Sequence, residues 1–404
     1  MDISKKFSNT TQKMKASKIR ELMKYAAMPD VISFSGGMPD PDHFPDKDVL
    51  NIIQSWGSLK SHRAMQYGAT TGYAELVENL KKRMTEQKNI NLNGQDLIVT
   101  TGGQQALFLI SRIFLNPDDT ILVEGPSFIG GIAAFLSNQG APVEIPLEDD
   151  GINLNILENT LKRLSDSRQT PKFLYTIPNF QNPGGVTMSV EKRKKLYDFS
   201  IKHELLIVED DPYGDLYFEG EKSDYLPVKS LGNDAPIIYA SSFSKILCPG
   251  LRLGWCLGDK EIIEKIGLAK QSVDACSTIY GQVIASDYLE QNVIDKYLSK
   301  MRVIYKEKKD SMLECIKKYF PPAIQYTNPK GGFFIYLTLP DSLSGDALFK
   351  KVIEQNVAFV TGEPFHIDKN EGDKHIRLSY SNSTPEQIEK GIKVIGQAMH
   401  DMLG

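Results

Sequence analysis

Residues 237–245 read IIYASSFSK, and residues 205–213 read LLIVEDDPY. Both are continuous apolar runs that end in polar residues, a pattern typical of strands that helices cover on both faces of a parallel sheet. Comparable runs alternate with helical patterns from about residue 95 to residue 258. The alternation predicts an α/β fold in which a large domain has three α/β/α layers around a mainly parallel, seven-stranded sheet.

The C-terminal part of the chain has a different pattern. A long helical stretch, Asp295–Tyr319, ends before two prolines, and shorter strand and helix patterns follow it. They predict a smaller α+β C-terminal domain. We therefore expect an N-terminal helix and arm over residues 1–45, a large domain over residues 46–290 and a small domain over residues 291–404. The second boundary falls near 285–300, where a helix could span both domains.

The composition argues against several kinds of protein. The 404 residues carry a formal net charge of −4, which disfavours binding to nucleic acid through phosphate contacts. No stretch approaches the roughly 18 consecutive apolar residues of a membrane helix. The four cysteines include no C-x-x-C pair, so the sequence suggests neither a metal site nor a disulfide framework. We expect a cytoplasmic protein with no membrane or nucleic-acid partner.

Four short motifs follow predicted strands, at the end of the sheet where α/β proteins bind ligands. Thr101–Gln105 (TGGQQ) opens a helix, whose N-terminus and glycines suit a phosphate. Asn179–Gly185 (NFQNPGG) and Glu209–Tyr213 (EDDPY) follow two further strands, and Ser241–Lys245 (SSFSK) follows a fourth. Taken singly, each motif has a plain alternative: an ordinary turn, solvated carboxylates or a surface lysine.

Lys245 is the residue with the strongest chemical indication. A lysine among small hydroxyl residues after a buried strand is a candidate to form a Schiff base. Its amine must be unprotonated to react, and the nearby Arg252 would lower its pKa. Ser242, Ser244 and Arg252 can also bind a phosphate, and one carboxylate of residues 209–211 would suit a pyridinium nitrogen.

The joint order of the motifs resembles one family of enzymes. GGQQ, then NPGG, then DDPY, then SxFSK with an arginine seven residues on is similar to the fold type I pyridoxal-phosphate enzymes of the class I/II aminotransferase group. The resemblance extends over nearly the whole chain. It implies a pyridoxal 5′-phosphate cofactor held as a Schiff base by Lys245, and a homodimer with shared active sites.

The resemblance also implies roles for individual residues. Lys245 would hold the cofactor and shuttle a proton, Asp210 would pair with the pyridine nitrogen in competition with its neighbour Asp211, and Tyr213 and Asn182 would donate to the phenolic oxygen. The further cofactor-binding residues that it implies are Tyr67, from the neighbouring subunit, with Gly102, Gly103, Gln104, Phe128, Ser242, Ser244 and Arg252. Gly103 and Phe128 depart from the commoner serine and tyrosine, although stacking on the ring needs only the face of a phenyl group.

The expected substrate contacts come from both ends of the chain. Arg377 matches an arginine that holds the substrate α-carboxylate in a fork of two hydrogen bonds. Residues 17–22 (SKIREL) and 32–39 (ISFSGGMP) resemble the aminoadipate/kynurenine branch, in which the N-terminal helix is a lid over the substrate. There Arg20 would meet an acidic side chain and Gly37 would offer a backbone contact, with Tyr67 and Asn182 also near the substrate. Arg20 could equally be a solvated helix residue.

Three functions remain open on the sequence. The leading one is an aminotransferase that passes the amino group of an L-amino acid (2-aminoadipate, aromatic or branched-chain) to a 2-oxo acid, expected to be 2-oxoglutarate, by a ping-pong Schiff-base mechanism. The alternative is a lyase or synthase on the same scaffold, since the motifs fix the cofactor and leave the reaction open. A regulatory protein is the third, and the acidic charge and the short segment before residue 17 disfavour it.

Overall fold

A computed structural model of the chain describes residues 3–8, 10–11, 28 and 30–404. The predicted lid helix over residues 17–27, with Arg20, lies outside the described residues. Among those that are described, no helix has both the length and the apolar character needed to cross a bilayer.

Strands and helices alternate through most of the described chain. The strands are β1 (Ile32–Ser33), β2 (Gln95–Thr100), β3 (Thr120–Gly125), β4 (Ala141–Glu148), β5 (Gly151–Ile152), β6 (Leu174–Thr176), β7 (Ile207–Asp210), β8 (Ile237–Ser242), β9 (Gly254–Asp259), β10 (Gln325–Tyr326), β11 (Phe334–Thr338), β12 (Val357–Ala358), β13 (Val360–Thr361) and β14 (His375–Ser379). The α-helices are α1 (Asp46–Gln54), α2 (Ser58–Met65), α3 (Ala74–Lys88), α4 (Gly102–Phe114), α5 (Ile129–Ser137), α6 (Leu154–Asp166), α7 (Val190–His203), α8 (Lys260–Gln271), α9 (Ile279–Glu290), α10 (Val293–Tyr319), α11 (Gly345–Ile353), α12 (Lys369–Gly372) and α13 (Pro385–Leu403).

The large sheet has the strand order β2-β9-β8-β7-β6-β3-β4-β5, counted over the described residues. The five central strands from β8 to β4 are parallel, whereas β9 runs antiparallel to both of its neighbours. The seven predicted strands are all present. The eighth, β5, was not predicted because its two residues, paired antiparallel with the end of β4, are too few to show a periodic pattern.

Helices cover both faces of this sheet, as the apolar runs predict. In β3, Ile121 and Val123 face one apolar cluster that includes Leu107 of α4, whereas Leu122 faces a second that includes Leu157 of α6. Every residue of β3 and β8 is buried. Because each fully buried aliphatic side chain contributes about 1.5–3 kcal/mol, these central strands form the most firmly held part of the fold.

The C-terminal part forms a small antiparallel sheet in the order β10-β11-β14-β13. Residues 357–361 are divided into β12 and β13, because the chain changes its pairing partner at the fully buried Phe359. There β12 pairs with β1 of the N-terminal arm and β13 pairs with β14. The arm is thereby joined to the small sheet.

The topology gathers the predicted motifs at one edge of the large sheet. Since β9 is antiparallel to both β2 and β8, β2 runs in the same direction as β6, β7 and β8. The carboxyl ends of these four strands therefore lie on the same side. They lead into residues 101–105, 177–185, 210–213 and 242–245.

A group of buried ion pairs links α3 to the chain that follows β7, next to this edge of the sheet. Lys88 at the end of α3 lies 3.0 Å from Asp215 and 3.5 Å from Asp211, and Arg83 lies 2.8 Å from Asp215. Burial opposes ionisation of Asp215, but Lys88 and Arg83 together lower the pKa of its carboxyl. The two acids therefore depend on the cations of α3.

Replacing Lys88 by methionine should destabilise the protein strongly. Lys88→Met leaves two buried carboxylates short of a cation, which is expected to lower the free energy of unfolding by about 3–5 kcal/mol. Urea denaturation measures the change. Lys202→Met is the control, because Lys202 pairs at 2.8 Å with Glu158 at the surface and should change the free energy by less than about 1 kcal/mol. Equal effects of the two variants would contradict a supporting role for Lys88.

Candidate active site

Lys245 follows β8 and projects toward the N-terminal arm. Its Nζ donates to the carbonyl oxygen of Gly37 at 2.7 Å and lies 5.7 Å from the centre of the Phe333 ring. Burial, together with the charges of Arg252 and Arg377, lowers the pKa of Lys245 to about 8. The lowered pKa increases the fraction of the amine that is unprotonated near neutral pH, which is the form that a Schiff-base lysine needs.

The three acids of residues 209–211 are all buried, so the alternative that they are solvated is wrong. Asp211 accepts hydrogen bonds from Asn179 Nδ2, the Gly214 backbone N–H and Tyr239 Oη, each at 3.0 Å. With Lys88 beside it as well, Asp211 is fully engaged in holding the fold together.

Asp210 points to the other side of β7 and has a different environment. Within the described residues its hydrogen-bond partner is Tyr175, whose hydroxyl donates to Oδ2 at 2.8 Å. Burial raises the pKa of Asp210 to about 7, and the charges of Asp211 and Glu124 act in the same direction. Such a carboxyl is ready to accept a cationic partner, which would restore its ionised form.

Arg377 lies in β14 with its guanidinium buried between two aromatic rings. Its Cζ is 4.2 Å from the centre of the Phe334 ring and 4.9 Å from that of Phe365. One Nη donates to Asn182 Oδ1 at 2.8 Å and the other to the Ser35 carbonyl at 2.6 Å. The buried Nε has no hydrogen-bond partner among the described residues.

Asn182 and Tyr213 connect this arginine with the carboxyl at the sheet edge. Burial raises the pKa of Tyr213, and Arg377, Asp210 and Asn182 all lie close enough to influence it. The residues expected at the cofactor ring and at the substrate carboxylate therefore adjoin one another. Lys245, with both Arg252 and Arg377 nearby, completes the group.

Glycine, hydroxyl and guanidinium groups converge at the N-terminus of α4. A Cβ atom on Gly102 would lie 2.6 Å from the Arg252 guanidinium, and one on Gly103 would lie 3.7 Å from Cβ of Ser242. The Ser242 and Ser244 hydroxyls are 2.8 Å apart. A helix N-terminus with free N–H groups, two hydroxyls and an arginine is a donor set that fits a phosphate.

The remaining predicted residues are placed differently from one another. Gln104 donates from Nε2 to the Gly130 carbonyl at 2.7 Å, and the Phe128 ring lies against Gly130, so both adjoin the start of α5. Gly37 adjoins Lys245. Tyr67, by contrast, is 88% exposed in the single chain and is not brought to these groups.

Comparison with known proteins agrees with this geometry. The sequence model of aminotransferase class I and II matches residues 29–395. The chain belongs to this family. It is 38% identical to aromatic-amino-acid aminotransferase 1 of Thermococcus litoralis over 99% of the chain and 95% of that relative.

Solved structures of other aminotransferases have the same fold. The kynurenine aminotransferase of Pyrococcus horikoshii, in complex with PMP, superposes with a TM-score of 0.96 at 37% identity and covers 100% of this chain and 99% of its own. The α-aminoadipate aminotransferase of Thermus thermophilus, complexed with N-(5′-phosphopyridoxyl)-L-leucine, superposes with a TM-score of 0.90 at 34% identity, with the same coverage. The predicted family, fold class and pyridoxal-phosphate cofactor of this aminotransferase are thus confirmed.

Several residues of this aminotransferase site were not found from the sequence. Tyr175 and Phe334 come from apolar runs that predict only strands, and Phe365 stands between Pro364 and His366 in a segment without an apolar pattern. Tyr175 could have been suspected, because a tyrosine whose hydroxyl lies in a buried strand needs a polar partner. Phe334 and Phe365 gave no such signal, since their place beside Arg377 depends on tertiary packing.

Replacing Tyr175 by phenylalanine tests the environment of Asp210. The Tyr175 hydrogen bond lowers the Asp210 pKa against the effect of burial, so Tyr175→Phe should raise that pKa further. Because a smaller fraction of the carboxyl is then ionised at neutral pH, the dissociation constant for pyridoxal phosphate is expected to increase about tenfold, which is about 1.4 kcal/mol. Absorbance titration of the apoenzyme measures the constant.

A second tyrosine serves as the control for this substitution. Tyr319 also donates to a carboxylate, Glu389, at 2.8 Å, but on the exposed surface. Tyr319→Phe should leave the dissociation constant unchanged. If Tyr175→Phe binds the cofactor as tightly as Tyr319→Phe does, Tyr175 has no part in holding Asp210.

Proposed function

We propose that this aminotransferase transfers the amino group of an L-amino acid to a 2-oxo acid, with 2-oxoglutarate as the acceptor in a ping-pong cycle. We further propose 2-aminoadipate or an aromatic amino acid as the donor, with a branched-chain amino acid as the other candidate. Relatives named for aromatic amino acids, 2-aminoadipate and kynurenine support the first two. The observation on which the proposal chiefly rests is the buried Arg377 with its Nε unpaired among the described residues, close to Lys245.

Pyridoxal phosphate, when bound, supplies an electron sink for the charge that develops at the substrate Cα. The chain's own residues orient the reactants and move the proton. Arg377 and Asn182 bind the α-carboxylate, which fixes Cα near Lys245. The Lys245 amine, once free, takes the proton from Cα and returns it on the cofactor side.

The other site residues hold the cofactor in the orientation that this proton transfer needs. Asp210 would bind the pyridine nitrogen and Tyr213 the phenolic oxygen, and Phe128 would pack on the ring. The groups at the start of α4 would hold the phosphate, namely Gly102, Gly103, Gln104, Ser242, Ser244 and Arg252. The convergence of Ser242, Ser244 and Arg252 at the start of α4 supports the phosphate assignment, and the burial of Asp210 with a raised pKa supports its pairing with a cationic nitrogen.

We also propose a homodimer in which Tyr67 reaches the phosphate of the neighbouring subunit. Its 88% exposure supports this, since an exposed tyrosine is available to a partner.

The division into an arm (1–45), a large domain (46–290) and a small domain (291–404) remains our proposal. We also propose a cytoplasmic location, which rests on the four free cysteines.

A half-reaction separates transamination from elimination on the same scaffold. With a donor amino acid and no 2-oxo acid, the holoenzyme should form one equivalent of 2-oxo acid per site and release no ammonia. Lys245→Ala should lower this rate by about 10²-fold or more, because the general base is lost, while Lys202→Ala should not. Sustained release of ammonia would instead identify a lyase.

Arg20 can be tested as the residue that reads an acidic side chain. Arg20→Ala should raise KM for 2-aminoadipate about tenfold, the effect of losing about 1.4 kcal/mol from a charge-assisted hydrogen bond. KM for phenylalanine and leucine should stay constant. A donor panel against 2-oxoglutarate gives the comparison, and equal KM values for 2-aminoadipate in both proteins would exclude this role.

A further inference from the structure

A carboxylate of the large sheet is joined to the loop that covers Arg377. Glu144, in β4, accepts a hydrogen bond from the Ile367 backbone N–H at 2.7 Å through Oε2. Its Oε1 lies 3.0 Å from Nδ1 of His366. One side chain thus holds two consecutive residues of the segment that follows β13. We call the Glu144–His366 pair, with the bond to Ile367, the latch.

The hydrogen-bond partners of His366 fix the orientation of its ring. Nε2 lies 3.2 Å from the hydroxyl of Tyr336, and Nδ1 lies 3.0 Å from Oε1 of Glu144. A carboxylate only accepts hydrogen bonds, so Nδ1 is the donor toward Glu144. The ring also stacks on His375, with 5.3 Å between centres. Both ring nitrogens and one ring face are thus engaged.

Both residues of the latch lie next to segments of the candidate active site. Phe365, next to His366 in the chain, stacks on the Arg377 guanidinium at 4.9 Å, and its carbonyl accepts from the Ser127 N–H at 2.8 Å. On the large-sheet side, the Glu144 side chain fills the space where a Cβ on Gly125 would stand. Gly125 begins the segment that leads to Phe128, so a single carboxylate orders both segments.

We propose that Glu144 and His366 are positioning residues that hold Phe365 against Arg377 and so keep the guanidinium in place for the substrate carboxylate. The proposal rests on the assignment of that carboxylate to Arg377 made above. Neither latch residue contacts the reacting atoms. The latch should therefore affect KM for the amino acid and leave kcat and the cofactor absorbance unchanged.

Substitution of the latch tests this division. Glu144→Gln in the holoenzyme should raise KM for the donor about tenfold with kcat unchanged. Glu158→Gln is the matched control, because Glu158 also faces a histidine, His203 at 3.8 Å, but on the surface; it should behave as wild type. An unchanged KM in Glu144→Gln, or a fall in kcat with a changed cofactor spectrum, would overturn the proposal.

Two substitutions of His366 separate its contact with Glu144 from its contact with Tyr336. They remain informative if Glu144→Gln does not fold. Asparagine places its amide near the position of Nδ1, and glutamine places its amide near that of Nε2. His366→Asn should therefore keep a KM near that of wild type, whereas His366→Gln should resemble Glu144→Gln. Equal KM values for the two variants would reject the Glu144 bond as the determining contact.

Two further measurements separate this proposal from the proposed function. Hydrogen exchange of the peptide over residues 362–368 should quicken in Glu144→Gln, while that over 205–213 stays slow; unchanged exchange contradicts the latch without reference to activity.

Arg377→Lys should also raise KM. If it does not, the carboxylate assignment fails and the latch proposal with it, whereas a rise in Arg377→Lys alone rejects only the latch.

Discussion

The structure depends on the burial of one guanidinium, that of Arg377, without a carboxylate partner among the described residues. A buried cation is costly unless its hydrogen bonds are made. Here Ser35 and Asn182 supply two acceptors, and the faces of Phe334 and Phe365 supply cation–π contacts of about 2 kcal/mol when desolvated. Burial lowers the Arg377 pKa to about 10, so the group stays charged at neutral pH. Under the proposed function, the substrate carboxylate would add the missing countercharge and so favour binding.

The cofactor side of the site was largely predictable because its residues follow directly from strands. Continuous apolar runs locate β6, β7 and β8, and the polar residues just after them must then share one edge of the sheet. That rule places Lys245, Asn182 and the start of α4 at this edge, and the resemblance to the family supplies their expected roles. The choice of Asp210 over Asp211 came from resemblance, and the structure adds a physical reason, since Asp211 is engaged by Asn179, Gly214 and Tyr239.

The acids of residues 209–211 show why the remainder could not be predicted. Side chains alternate along a strand, so Glu209 and Asp211 face one way and Asp210 the other. Glu209 accepts from the backbone N–H groups of Val228 and Lys229 at 2.8 and 2.9 Å, a contact between segments about twenty residues apart. Sequence indicates that buried acids need partners, yet partners that come from distant segments leave no local pattern. Glu144 and His366 are missed for the same reason, since they lie 222 positions apart in the chain.

The proposed cofactor contacts are set locally at strand ends, whereas the contacts around Arg377 come from distant segments. This contrast suggests how the choice of amino donor can vary within the family. The motifs proposed to hold the cofactor are short, and each strand end sets their geometry locally. The groups around Arg377 instead come from the arm at Ser35, the loop at Phe365 and the small sheet at Phe334, which meet only through tertiary packing. Changes in these segments can reshape the space beside the substrate without disturbing Asp210 or the phosphate donors. Two relatives are 35–38% identical to this chain and yet are named for different amino acids. Such a difference is expected if the donor pocket can change while the cofactor motifs stay the same.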